Sequence, residues 1–448
     1  INAKSQTFGE INDGDSIFYS ITSSNSPYQV EVSNPPFGSS LYSGSITIPN
    51  SVSYNGINYT VSSIGNSAFY NCTYLTSVLI CDSIKKIGNA AFGDCPNLFI
   101  INLPPYLKEI GETAFWYCVG LTSINLPSTL NIIGNNAFTN CRALTNLTIP
   151  SQVSIIGDGA FYNCSALSTV NYNATNCSIG YYIFEQCPLL TTLNIGENVE
   201  NIPQAAFYGC NHLTYVSLPS NLLSIGNSAF SFCSNLTSVT IPNTVTTIGE
   251  LAFNGCSNLT SVNLPNSVSS LGNSAFSNCI NLSSLSLSNS LTSIGDNVFY
   301  GCEGLSNVNL PSSILSIGNS AFAGCRNLSS INLSSSLLRI GKSAFNECIE
   351  LNSITFPSTL NTIDSFAFYG CNNLASITSN AILPPNLKFE AFKNVNVYIP
   401  VYVPCPSVEL YQNAENWSNF LNIQCDLSLE ENISQDIQTK LYPNPAID

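Results

Sequence analysis

Between residues 62 and 380 apolar side chains return at fixed steps, and the steps themselves repeat. One unit, read from Cys256 to Cys279, shows the pattern. Leu259, Val262 and Leu264 are separated by Thr, Ser and Asn, and the Val-Asn-Leu piece alternates with period two. Such alternation predicts a short strand with one buried face. Pro265 ends it, because proline has no N–H to give to a ladder. Val268 and Leu271 point inward again, and Gly272 marks a tight bend. Asn273 or Ser274 then stands where it would cap a single helical turn carrying Ala275 and Phe276 into the core.

The unit recurs without a slip. Fourteen cysteines from Cys72, Cys95 and Cys118 through Cys348 and Cys371 follow one another every 23 residues. Each is followed three positions later by Leu, as in Leu75, Leu98, Leu121 and Leu374. Six positions later comes Val, Ile or Leu, as in Val78, Ile101 and Leu147. A unit this short cannot bury its apolar face alone, so copies must stack Leu on Leu and Phe on Phe. The expectation is a solenoid with short parallel β-strands on a concave face and turns and single helical turns on the convex side.

The motif C-x2-L-x2-[IVL]-x-[IL]-P-x2-[VL]-x2-IG-x2-AF, over residues 62–380, resembles the bacterial BspA-like, or Treponema-type, leucine-rich repeat. Proline stands after the strand (Pro104, Pro127, Pro150, Pro219), where the common leucine-rich pattern has Asn or Cys. The resemblance implies a leucine-rich-repeat solenoid on a surface protein, in a family associated with adhesion.

The two ends read differently. Residues 1–61 lack the cysteine but alternate at Phe18–Ile21 and Gln29–Val32, and Asn55-Gly56 is a two-residue hairpin signal. They are expected to form a β-rich N-terminal cap over the open edge of the first repeat. Residues 381–425 resemble the terminal unit of the same family, with a strand at Val395–Val403 and an amphipathic helix at Ser407–Phe420. They are expected to form a strand-helix C-terminal cap. Residues 426–448 read as a linker and the start of a sorting domain. Leu441-Tyr442-Pro443-Asn444-Pro445-Ala446 resembles the opening of the type IX secretion signal of Bacteroidetes, which implies export to the outer-membrane surface and a chain that continues past Asp448. A chain beginning at Ile1 and lacking Met agrees with a removed signal peptide, or with a trimmed start.

Composition narrows the function classes. Charged residues make up 8% of the chain, against ~25% in typical domains, so solubility rests on hydroxyls and amides. Net charge is −15, and Lys85-Lys86 is the only adjacent basic pair among 11 Lys and Arg. Nucleic-acid binding needs a clustered basic face and is excluded. No run approaches the ~18 apolar residues of a membrane-spanning helix.

The chemistry is sparse. Equivalent cysteines in a stack point the same way, which suits neither a disulfide nor a four-sulfur zinc site, so buried thiols are expected. Cys81 and Cys177 are four repeats apart and cannot bond each other. Cys405 and Cys425 bracket the predicted terminal helix, where an exported chain can form a disulfide, though spacing alone does not decide it. His212, the only histidine, lies two residues after Cys210. Asn fills its place in other repeats (Asn235, Asn258, Asn281), so a substituted turn residue is a better reading than a catalytic base. Residues 172–203 break the consensus, with Pro203 for Gly and with Glu185, Glu197 and Glu200 near Tyr181 and Tyr182. Repeat drift is the plain reading there, and a ligand or cation site the sharp one.

No acid, base and nucleophile constellation appears, so an enzyme, a metal site and a cofactor are not expected. The binding candidates are two surfaces. The outward strand residues Ser123, Asn125, Asn146, Thr148, Ser261, Asn263, Asn307 and Asn309 form the expected concave face. Aromatics two positions before the register cysteine (Tyr70, Trp116, Tyr162 and Tyr208) recur every second repeat and form a candidate edge for stacking on a glycan. The reading is a secreted or cell-surface monomer that binds host or bacterial surface and matrix proteins. Glycan binding or a purely structural role is the alternative.

Overall fold

In the computed structural model residues 7–12, 15–36 and 41–428 are described. The chain divides into two compact units, Ile1–Thr244 and Val245–Asp448.

The first unit opens with antiparallel strands, Thr7–Asn12 on Asp15–Ser23 and Asp15–Ser23 on Gln29–Ser33. Ser51–Tyr54 and Ile57–Ile64 form the hairpin that Asn-Gly predicts. Asn55 and Gly56 take φ of 51° and 76°, the left-handed values that a tight two-residue turn requires. Ile57–Ile64 then pairs in parallel with Lys86–Ile87, so the antiparallel opening hands its edge directly to the repeats.

Each repeat contributes three runs. The first is the predicted strand, seen at Leu75–Leu79, Asn146–Ile149 and Thr192–Ile195, with alternate residues buried in the latter two. The second is a two-residue strand at the Ile of the Ile-Gly pair, as in Glu109–Ile110 and Ile132–Ile133, paired in parallel 23 residues apart. That ladder is too short to show a period in sequence, and it was not foreseen as strand.

The third run corrects an expectation. The segment carrying Ala-Phe is a chain of turns, not a helical turn. Ser67, Ala90, Thr113 and Ser274 lie at φ between 51° and 56°, which a right-handed helix cannot contain. Alternate N–H groups reach the next repeat instead, as Ser67 to Asn89, Phe69 to Ala91 and Asn71 to Gly93. Asn273 caps nothing of its own: its Oδ1 accepts the N–H of Asp296 in the following repeat at 3.0 Å. Backbone donors must be satisfied somewhere, and here the neighbour satisfies them better than an isolated turn would.

Close approach explains the recurrent Gly of this motif. A Cβ built on Gly226 would lie 2.7 Å from the Gln204 nitrogen and the Ile202 oxygen of the preceding repeat. Only hydrogen fits there.

The core of each unit is a row of rings and a row of thiols. In the first unit Phe69, Phe92, Phe115, Phe138 and Phe161 stack with centroids 4.9, 5.2, 5.0 and 5.1 Å apart. Tyr42 covers the first ring at 4.7 Å. The register cysteines are free and buried, as expected. They do more than fill space: Cys95 Sγ donates to the Phe69 carbonyl at 3.1 Å, Cys118 to Phe92 at 3.1 Å and Cys141 to Phe115 at 3.2 Å. The same link from a cysteine to the phenylalanine carbonyl of the preceding repeat runs through the second unit, from Cys279 to Cys371.

The second unit repeats this plan and closes differently from expectation. The strand there is Val401–Val403, not Val395–Val403, and a further strand, Ile423–Cys425, pairs with it. The helix is six residues, Val408–Asn413, not Ser407–Phe420. Ala414 is extended at ψ 141° and Asn416 is left-handed at φ 65°, so Trp417 falls on a separate 3-10 turn. Trp417 is fully buried and donates Nε1–H to the Pro385 carbonyl at 2.8 Å. Cys405 and Cys425 form a disulfide. The sorting-signal residues 441–446 lie outside the described residues.

Candidate binding surfaces

The strand face is built by alternation. In Asn146–Ile149, Leu147 and Ile149 are buried while Asn146 and Thr148 are exposed. Ser261 and Asn263 flank buried Val262, and Asn307 and Asn309 flank buried Val308. Ser123 and Asn125 flank buried Ile124 in the same way, but their segment forms no paired strand, which corrects the expectation that they are strand residues. The outward amides partly satisfy one another. Asn171 Nδ2 donates to Thr148 Oγ1 at 3.1 Å, Asn194 Nδ2 to Asn171 Oδ1 at 2.8 Å, and Asn332 Nδ2 to Asn309 Oδ1.

Three outward residues on this face break the polar rule and were not singled out from sequence. Leu79 is 55% exposed, Ile100 68% and Tyr215 53%. The register pairs Ser77 with Ile100 and Leu79 with Asn102, so Leu79 and Ile100 are diagonal neighbours. The signal was present: Asn, Ser or Thr stands at these places in most other repeats.

The aromatic edge is not a row of free rings. Tyr70 lies over the next repeat, since a Cβ on Gly93 would meet its ring at 3.1 Å. Trp116, Tyr162 and Tyr208 are half-buried. Trp116 packs on Tyr117 at 5.5 Å, and the Arg142 guanidinium sits 5.7 Å from the Tyr117 centroid.

Tyr208 belongs to a cluster. It makes edge contacts at 5.5 Å with both Tyr182 and Phe232. Beside it opens a cleft of about 540 Å³ bordered by Glu185, Gln186, Asn211 and His212. His212 is exposed there, while burial holds the Cys210 thiol well above its ordinary value. A thiol kept protonated is no activated nucleophile. Glu185, Glu197 and Glu200 do not converge: among the described residues no group of three acids, histidines or cysteines is placed to hold a metal ion. No helix among them is long and apolar enough to cross a membrane.

Comparison with known proteins agrees with this architecture. The BspA type leucine rich repeat region matches in overlapping stretches between residues 62 and 398. A leucine-rich repeat protein from Bacteroides ovatus is similar at 30% identity over 92% of this chain and 98% of its own, with a TM-score of 0.68. A leucine rich cell surface protein from Faecalibacterium prausnitzii is 28% identical over 83% of this chain and 94% of its own, with a TM-score of 0.43. No curated protein matches. The repeat length, the Ile-Gly close approach and the family match converge: this chain belongs to the BspA-type leucine-rich-repeat family.

Proposed function

We propose that this chain is a surface-exposed binding module that engages proteins through its strand face. The carrying observation is the exposed pair Leu79 and Ile100 on a strand face that, Tyr215 apart, is polar. Apolar anchors ringed by polar groups concentrate binding energy, because they release water on contact while the rim aligns. Ser123, Asn125, Asn146 and Thr148 supply the polar part in the first unit, and Ser261, Asn263, Asn307 and Asn309 offer the same chemistry on the strand face of the second. Partners are host or bacterial surface and matrix proteins, and adhesion is the use that fits.

The test is a binding screen of the purified chain against matrix and bacterial surface proteins, followed by Leu79→Asn with Ile100→Ser. Both replacements occur at equivalent places in this chain, so folding should hold. The double variant is expected to bind about 10–100-fold more weakly. A screen without partners, or a variant that binds as well as the parent, overturns this reading.

Location at the outer-membrane surface is part of the proposal. A reporter fused to the native C-terminal region from Tyr442 onward is expected to leave only cells that have type IX machinery. Export that persists without the machinery overturns it.

A further inference from the structure

The repeat that breaks consensus also interrupts two of the three runs that join it to the next. Where most other repeats have Gly, residue 203 is Pro, which has no N–H to give to the preceding repeat as Gly180 and Gly226 do. The two-residue ladder parts beside it, while the first strand run continues from Asn171 to Asn194 and on to Ser217. The two-residue strands stop at Ser178–Ile179 and resume in another sheet at Asn201–Ile202. On the turn run, Gly159, Phe161 and Asn163 donate forward to Tyr181, Ile183 and Glu185, as their equivalents do. The next donors, the N–H groups of Tyr182, Phe184 and Gln186, make no bond to the following repeat. The ring row opens too: Phe184 and Phe207 are 6.3 Å apart, the widest step in this unit.

The cleft lies at this parting. One of its lining aromatics, Phe232, and Tyr182, which packs behind Tyr208, are held at a conformational cost. Tyr182 and Phe232 have φ of 62° and 60° and are both about half exposed. Bulky residues in the left-handed region are strained, and Asn, Ser or Gly takes these places in most other repeats. Both rings pack on Tyr208 at the surface and not in the core row.

We infer that this cleft is a binding site for a short neutral glycan, one or two pyranose rings in size. A pyranose offers an apolar C–H face for the rings of Tyr208 and Phe232, and hydroxyls for groups around them. Amides of Asn163, Gln186 and Asn211 can both donate and accept, and the Gln186 N–H adds a donor beside them. The Glu185 carboxylate makes no hydrogen bond or ion pair among the described residues and accepts from a hydroxyl. No Lys or Arg borders the cleft, which excludes sialic acids, uronates and phosphates. The volume of about 540 Å³ is within the ~300–1,000 Å³ of small-ligand sites. This site lies on the turn run, goes beyond the strand-face reading and does not rest on it.

The experiment is calorimetric titration of the full chain with a panel of neutral disaccharides built from glucose, galactose, mannose and N-acetylhexosamines. Sialyllactose and choline serve as contrasting probes. Two variants carry the assignment, Tyr208→Ser and Phe232→Asn, which match Ser231 and Asn278 at equivalent places in other repeats. At least one neutral disaccharide is expected to bind, each variant to weaken it at least tenfold, and the variants to melt no lower than the parent. Binding of choline but no sugar would make the cluster a cation cage and overturn the inference. So would a panel without binders, or sugar binding that both variants retain. Protein binding by the strand face is measured separately, so failure of one reading leaves the other standing.

Discussion

Phe138→Ala is expected to cost about 3–5 kcal/mol, the usual penalty for emptying a buried aromatic site. Its ring is fully buried and lies between two others, 5.0 Å from Phe115 and 5.1 Å from Phe161, nearly parallel to both. Removing it takes a contact from each side, and the backbone cannot collapse into the gap because flanking N–H groups are pinned to the next repeat. Phe138 N–H itself bonds the Ala160 carbonyl at 2.7 Å. In a nearest-neighbour array the loss stays regional. Denaturant melting should show an early transition, and hydrogen exchange should place it in the repeats around residue 138. A single transition at the parent midpoint would contradict both statements.

Raising the pH should unfold the protein well before its backbone chemistry suffers. Burial pushes the Cys118 thiol up to about 12, from an ordinary value of 9.0. The thiols of Cys141, Cys164 and Cys348 are driven upward by the same cause. The folded state keeps these protons longer than the unfolded chain does. Stability from each thiol is therefore whole below about pH 9 and is lost as pH rises through the folded value. For Cys118 alone that window is worth on the order of 4 kcal/mol. The buried phenol of Tyr411, also raised to about 12, adds loss in the same direction above its ordinary 10.0. Melting temperature should be flat to about pH 8.5 and then fall steeply, with native thiol labelling slow until it does. Constant stability up to pH 11 would show that the thiols are not sealed in.

Fold class was legible because the unit is long enough to carry a signal and is copied many times. The Cys-Leu-Val register marks the buried side of the first strand run, and Asn55-Gly56 marks a turn by its conformational tolerance alone. What sequence reading missed depends on the neighbour. Asn273 looks like a cap until the following repeat supplies the Asp296 N–H, and the two-residue strands exist only as pairs. The terminal helix was overdrawn because apolar spacing around Trp417 fits a helix, whereas extended Ala414 and left-handed Asn416 divide it. Residues 172–203 were visible as a departure. That a cleft lies between the turn runs of this repeat and the next was not, because it depends on backbone bonds between positions 23 residues apart.

The hydrogen bonds between repeats also fix the unit in which such a chain can change length. Within the repeats, Asn273 to Asp296, Thr148 to Asn171 and Ile110 to Ile133 all join positions 23 residues apart. Gain or loss of one residue inside a repeat would misalign all three runs at once. Gain or loss of a whole repeat restores every partner. Ile363 pairs with Leu387 and Phe368 stacks on Phe392, both 24 residues away. The chain first carries that extra residue where it stops copying itself and begins the disulfide-closed end. Growth by duplication is therefore physically cheap up to that point and costly beyond it.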